Sequence, residues 1–232
     1  MSNKKGILFL VSTPIGNLGD ITYRAINVLK NVSLVAAEDT RHSKKLLNHY
    51  QIDTKMISYF EHNRGYRIPF LIGELVKGID IAVISDAGTP CISDPAYKLI
   101  RAAINADVKI ESIPGPSAFL TALTASGLPT DRFLFEGFLP PKKGRTKRLT
   151  KIQDVDATII YYESARRLKR TLIELYEIFG DRPAVVSREL TKIYEEIKRG
   201  TLLELSNYFS EHSLRGEFVI LIGKDDKNVF FK

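Results

Sequence analysis

The 232-residue sequence is poor in cysteine and in long apolar runs, and both shortages narrow what it can be. Cys91 is the single cysteine, so no intrachain disulfide and no cysteine-rich zinc site can form. A reducing, cytosolic setting fits that usage. The longest early apolar run, Ile7 to Val11, falls far short of the roughly 20 residues of a spanning helix. It is also shorter than the roughly 7–15-residue core of a secretion signal, and no small-residue cleavage site follows it. The histidines are His42, His49, His62 and His212, with no HExxH among them, so a metal site has no support. The Walker spacing and the three-glycine dinucleotide fingerprint are missing. So is the Gly-x-Ser-x-Gly elbow, which leaves a hydrolase triad without an anchor.

What is present is ordinary globular material. Apolar residues make up 44% and charged residues 26%, which argues against disorder. At roughly 150 residues per domain, the length suits one large domain or two small ones. The net charge of +7 asks for an acidic partner. Acid is lacking in one place above all: Lys142, Lys143, Arg145, Lys147, Arg148 and Lys151 occur with no Asp or Glu between them. Subtracting those six charges from +7 leaves +1, a near-neutral body carrying one basic segment. A solvated face is the usual fate of such a run, but the missing acids weaken that reading. A second cluster, Arg166, Arg167, Lys169 and Arg170, opens a helix read at Ser164–Phe179. Cations on a first turn oppose the helix dipole, so they hint at a phosphate nearby.

The first half alternates compact apolar runs with helical spacing. Strands are read at Gly6–Val11, Ser33–Ala37, Lys55–Tyr59, Asp80–Ser85 and Val108–Ile113. Helices are read at Asp20–Lys30, Ser43–Tyr50, Ile68–Lys77 and from Asp94-Pro95, with Asp20 and Asp94 as caps. This βαβα order predicts an open, mostly parallel sheet. Pro114-Gly115-Pro116 marks a boundary, giving domains 1–115 and 116–232. The second half reads as strands at Phe133–Gly137, Ala157–Tyr162, Ala184–Glu189, Ile193–Arg199 and Phe218–Gly223, with a hairpin that makes its sheet mixed.

Three loops follow predicted strands, where open α/β sheets bind ligands. Ser12–Asp20 has a phosphate loop's position without its spacing. Its Gly16-Asn17-Leu18-Gly19 matches the GxxG of KH domains only formally, and a tight turn explains it as well. Ser85–Pro95 carries Gly88, Pro90 and Pro95, with Asp86 and Asp94 bracketing the glycine. Asp94 suits a helix cap, which leaves Asp86 as the ligand candidate for an amine, a cation or ribose hydroxyls. Glu38-Asp39-Thr40-Arg41-His42 follows the second strand. It reads equally as a self-satisfied salt-bridge cluster or as a site sharing one edge with the Asp86 loop.

Taken together, VSTPIGNLGDIT (Val11–Thr22), AAEDTRHSKKLL (Ala36–Leu47), ISDAGTPCISDP (Ile84–Pro95), IPGPSAFLTALTASGLPTDRFLFEGFLP (Ile113–Pro140), YESARRL (Tyr162–Leu168) and SRELTKIYEEIKRGTL (Ser187–Leu202) carry a resemblance. In that order they resemble the bacterial 16S ribosomal RNA cytidine 2′-O-methyltransferases of the tetrapyrrole methylase superfamily. The resemblance implies two α/β domains with S-adenosylmethionine in the cleft between them, in a cytoplasmic homodimer. It implies methylation of one cytidine ribose in the decoding region of 16S rRNA, or of the 30S subunit, with no metal and no membrane. Cofactor candidates carried over are Pro14, Asp86, Ala87, Gly88, Ile92, Ser93 and Ser117. Members of the family commonly continue several tens of residues past the last strand. This chain stops at Lys232, so unaided RNA affinity would rest on the basic segment.

For the transfer itself, a positioned proton acceptor would help the 2′-hydroxyl, and Glu38 or Asp39 is the candidate, with Arg41 on the flanking phosphate. Lys142, Lys143, Arg145, Lys147, Arg148, Arg166 and Arg167 are the candidate RNA contacts. Two rivals stand: a small-molecule methyltransferase acting on a tetrapyrrole-type acid, and a non-catalytic rRNA-binding assembly factor.

Overall fold

A computed structural model describes residues 4–94, 96–226 and 228–231. The chain divides into two compact units, Met1–Ser117 and Ala118–Lys232, against an expected boundary after Gly115.

The first unit runs β1 (Ile7–Val11), α1 (Tyr23–Asn31), β2 (Leu34–Ala37), α2 (Thr40–His49), β3 (Met56–Ser58), α3 (Arg64–Val76), β4 (Ile81–Ile84), α4 (Tyr97–Asn105) and β5 (Lys109–Ile113). Every pairing is parallel, in the order β3-β2-β4-β1-β5. Both faces are covered, which is why β2 and β4 are buried at every position. Leu34, Ala36, Ile81 and Val83 point to one side and pack with Leu71 and Leu75 of α3 and Leu99 and Ala103 of α4. Val35, Ala37, Ala82 and Ile84 point to the other and pack with Ala25 and Leu29 of α1 and Leu46 and Leu47 of α2. The neighbouring strands β1 and β4 therefore send their chains to opposite faces. Their outgoing loops cross at the carboxyl edge, where ligands of such sheets bind.

Four helix starts differ from the sequence reading. One is α3, which begins at Arg64, four residues before the expected Ile68. Asp20 ends a short 3-10 turn, Leu18–Asp20, and Thr22 caps α1 by accepting the Ala25 N–H at 3.1 Å. Asp39 caps α2 by accepting the Arg41 and His42 amides at 2.8 and 3.4 Å, so that helix starts three residues earlier than its apolar pattern. Ala96, not Asp94, is the N-cap of α4. Asp94 instead takes the Cys91 N–H at 2.6 Å and the Ala96 N–H at 2.8 Å. The Pro95 expected at the first helical position lies outside the described residues.

The second unit runs α5 (Ala118–Ser126), β6 (Phe133–Phe138), α6 (Arg145–Lys151), β7 (Thr158–Ser164), α7 (Ala165–Phe179), β8 (Pro183–Arg188), β9 (Glu196–Thr201), α8 (Leu202–Ser210) and β10 (Glu217–Ile222). Its sheet is mixed, in the order β6-β7-β10-β8-β9. Only β6 and β7 are parallel; β8 and β9 form the expected hairpin pairing. Ile159, Tyr161, Ala184, Val186, Ile220 and Ile222 face a core with Leu168, Leu172 and Leu175 of α7 and Leu202, Leu205 and Phe209 of α8. Ser164 sits at the cap position of α7, yet its side chain makes no capping bond.

Candidate active site

The site grows from the crossing of the β1 and β4 loops. Thr13 and Gly88 exchange both backbone bonds, 2.9 Å one way and 3.0 Å the other. The Ser12 hydroxyl donates to Thr89 Oγ1 at 3.1 Å, and Thr89 donates to the Pro116 carbonyl at 3.0 Å. The segments after β1, β4 and β5, which carry the cofactor candidates, are thereby tied to one another at one edge of the first sheet. Close approach demands glycine here. A Cβ on Gly115 would sit 2.8 Å from Ser12 Cβ, and Gly88 has a φ of +80°. Cys91 and Ser93 are also left-handed, at φ of 75° and 66°, although both carry side chains. Such strain persists only where surroundings enforce it, and the Asp94 carboxylate does so from within the loop.

The Glu38 loop joins the same edge. The Asp39 N–H donates to Asp86 Oδ1 at 2.9 Å, and the Asp86 N–H donates to the Glu38 carboxylate. Asp86 therefore staples the β2 loop to the β4 loop, resolving the open question of whether the two share an edge. A small pocket lies there, lined by Glu38, Tyr59, Ser85, Pro90 and Asp94.

The two candidate acceptors differ in kind. Glu38 is half-buried, and burial, then the Asp86 and Asp94 charges, push its carboxyl above the ordinary value of 4.5. Asp39 goes the other way: its bonds from the Arg41 side chain and backbone hold it down at about 2. A helix cap that is already bonded to Arg41 at 3.1 Å makes a weak base. Arg41 itself is exposed over 91% of its side chain and stays open to an anion. Asp94 is raised by burial, and burial drives Tyr59 to about 12. Burial also drives Cys91 to about 12, so its thiol is not a reactive thiolate.

Pro14, Asp86, Ala87, Gly88 and Ser117 all lie on the tied loops, and Ile92 and Ser93 lie on the strained continuation. Ala87, Ile92 and Ser93 are exposed, whereas Ser117 is buried. Ser12, Thr13, Thr89 and Tyr59 escaped the sequence reading. Tyr59 was detectable, since it directly follows β3 at the same carboxyl edge as Glu38. The hydroxyls had no signal, because nothing in the order of residues tells that two loops cross.

The basic segment is less uniform than its sequence. Arg145 is 3% exposed and bonded to Glu174, to Thr171 Oγ1 at 2.5 Å and to the Pro140 carbonyl at 3.3 Å. It cannot touch RNA, which corrects its place among the contacts; a guanidinium this enclosed must be paired within the fold. Arg148 is held by Glu136, and Arg167 by Glu163 at 2.7 Å and the Leu139 carbonyl at 2.9 Å. Two of the cations at the start of α7 thus meet acids within the fold: Arg167 pairs with buried Glu163 from just before the helix, and Arg170 pairs with Glu174. Lys142, Lys143, Lys147, Lys151 and Arg166 remain exposed. Among the described residues no cluster of His, Cys, Asp and Glu could hold a metal, and no helix is long and apolar enough to cross a membrane.

Comparison with known proteins accounts for both units. The family model of tetrapyrrole (corrin/porphyrin) methylases matches residues 8–206. A ribosomal RNA small subunit methyltransferase I from Halalkalibacterium halodurans is 50% identical over 97% of this chain and 78% of its own length. A protein of the same name from Synechocystis is 50% identical over 94% of this chain and 78% of its own. In fold, the chain is similar to uroporphyrin-III-C-methyltransferase from Thermus thermophilus, with TM-score 0.68, 18% identity and 95% of each chain covered. The chain belongs to the tetrapyrrole methylase family.

Proposed function

We propose that this protein methylates small-subunit ribosomal RNA, moving a methyl group from S-adenosylmethionine to a cytidine 2′-oxygen in the decoding region. The observation that carries the reading is 50% identity, over nearly the whole chain, to proteins named for methylating that RNA. The protein acts in the cytoplasm, where its substrate is made, and as a homodimer.

The carboxyl edge of the first unit suits the cofactor. Gly88 and Gly115 let the loops pack closely on one another, Ala87 is small and exposed beside them, and Asp86 offers a carboxylate for hydroxyls or an ammonium. Pro14, Asp86, Ala87, Gly88, Ile92, Ser93 and Ser117 would hold it. S-adenosylmethionine supplies a methyl group already activated on a sulfonium. The protein's task is to align the ribose and to take the proton its hydroxyl loses.

Glu38 is the proton acceptor of choice. A carboxylate raised by burial is a stronger base than one held near 2, and a capping role leaves Asp39 to shape the loop. Arg41, exposed beside it, holds the phosphate flanking the reacting ribose.

Labelled methyl transfer to 30S subunits, naked 16S RNA and a uroporphyrinogen tests the reading, with the methylated nucleotide mapped. Label on one cytidine ribose is expected. Label on the uroporphyrinogen alone would establish the small-molecule rival. Cofactor binding measured by calorimetry separates the assembly-factor reading, which expects none.

A further inference from the structure

The edge strand β6 holds three phenylalanines that simple alternation would separate. Phe133 and Phe135 are two apart and share a face, but Phe138 lies three beyond Phe135 and would point away. The register shifts between them: Phe135 pairs with Ile160, Gly137 with Tyr161 and Phe138 with Tyr162. Glu136 is thus the extra residue of a bulge. Ile160 and Tyr162 are two apart, so Phe138 returns to the face of Phe135.

The rings then form one cluster. Phe135 stacks on Phe119 at 4.6 Å and meets the Tyr162 edge at 5.0 Å. Phe138 lies 5.5 Å from Tyr162, and Phe133 lies 6.1 Å from Phe119. The inner rings fix the outer two, and those two stay open: Phe133 is 43% exposed and Phe138 51%.

The basic segment is what holds the bulge. Arg148 donates to the Glu136 carbonyl at 2.8 Å and to its carboxylate at 2.5 Å. Arg145 donates to the Pro140 carbonyl just past the strand. Lys142, Lys143, Lys147 and Lys151 therefore belong to a segment anchored at the exposed rings. All four are exposed, and among the described residues no ion pair or side-chain bond engages them.

We propose that this bulged edge is a stacking platform for an unpaired nucleotide. A base lies on Phe138, with Phe133 extending the surface, while the lysines take the adjoining phosphates. An apolar protein partner would leave four ammonium groups unmatched. A nucleotide matches both halves, since every base has a π face and every link a charge. The proposal rests on the RNA-methylating reading and deepens it, because it assigns the unit that engages unpaired RNA.

The 232-residue chain contains no tryptophan, so Phe138→Trp installs a sole reporter in it. The probes are an oligocytidylate and an abasic strand of equal length. The oligocytidylate is expected to quench the reporter saturably and the abasic strand to leave it unchanged. Phe138→Ala is expected to weaken oligocytidylate binding about tenfold and abasic binding hardly at all. Equal loss for both probes, or no loss for either, overturns the platform. So does a Phe138→Ala protein whose sedimentation falls from dimer to monomer, which would assign the face to a second copy. Methyl transfer to 30S subunits, run in parallel, keeps the two ideas apart. Transfer with unaltered oligocytidylate binding in Phe138→Ala defeats the platform alone. Quenching without any transfer by the wild type retains the platform and defeats the methylation reading.

Discussion

The two units handle charge in opposite ways. The carboxyl edge of the first gathers Glu38, Asp86 and Asp94, and burial, then the charges of Asp86 and Asp94, raises Glu38. The second encloses its acids with arginines: Glu163, fully buried, meets Arg145 at 3.9 Å and Arg167 at 2.7 Å. Burial and mutual repulsion of carboxylates cost stability and raise the basicity of the one proposed as proton acceptor. Compensated burial fixes geometry and leaves nothing reactive. The first arrangement suits chemistry, and the second suits the support of a binding surface.

The sharpest break of that contrast is Glu38→Gln. It is expected to cut methyl transfer by about 10²–10⁴-fold with cofactor affinity retained, checked by single turnover and calorimetry. Asp39→Asn should cut it far less, because Asp39 is a cap held at about 2. A larger loss for Asp39→Asn would reverse the two roles.

Next comes the arginine network. Arg145→Ala leaves Glu163 and Glu174 facing an empty site and should cost about 3–5 kcal/mol in denaturant unfolding of the second unit. A change below about 1 kcal/mol would show that water replaces the guanidinium without penalty.

Smaller effects follow from pH. Glu38 has a folded value above its unfolded one, so the stability it allows is full below the unfolded value and is lost as pH rises through the folded value. Glu38→Gln should therefore melt higher than wild type at neutral pH, with the gap closing below pH ~4. Wild-type transfer should rise through the same folded value, because only the carboxylate accepts a proton. A flat pH profile across that range would exclude Glu38 as acceptor. Smallest is Thr22→Ala, which removes the α1 cap and should cost about 1 kcal/mol.

The contrast also explains what could be read beforehand. Buried strands such as Leu34–Ala37 and Ile81–Ile84 announce themselves as short apolar runs between helices, so the parallel sheet was legible. Loop positions at strand ends were legible too, which is why Glu38, Asp39 and Asp86 could be picked as candidates, with Glu38 and Asp39 left undivided. Capping was not. Thr22 and Ala96 stand at the cap positions expected for Asp20 and Asp94, and Asp39 caps a helix read only from Ser43, since a cap is fixed by where the backbone turns and not by the first apolar residue. The basic segment misled for a related reason. Its acids, Glu136, Glu163 and Glu174, are remote in sequence and adjacent only after folding. Charge counted along the chain missed the pairing that buries Arg145. The bulge at Glu136 was equally hidden, being a property of two strands in register.

The division of labour is tested most directly by steady-state transfer to 30S subunits with two variants. One is Glu38→Gln; the other replaces Lys142, Lys143, Lys147 and Lys151 together by glutamine. The account predicts that Glu38→Gln lowers kcat with RNA affinity intact. It predicts that the lysine variant raises KM, flattens the salt dependence of binding, and recovers wild-type kcat at saturating subunits. A lysine variant that stays slow at saturation, or a Glu38→Gln protein that turns over normally, would contradict it.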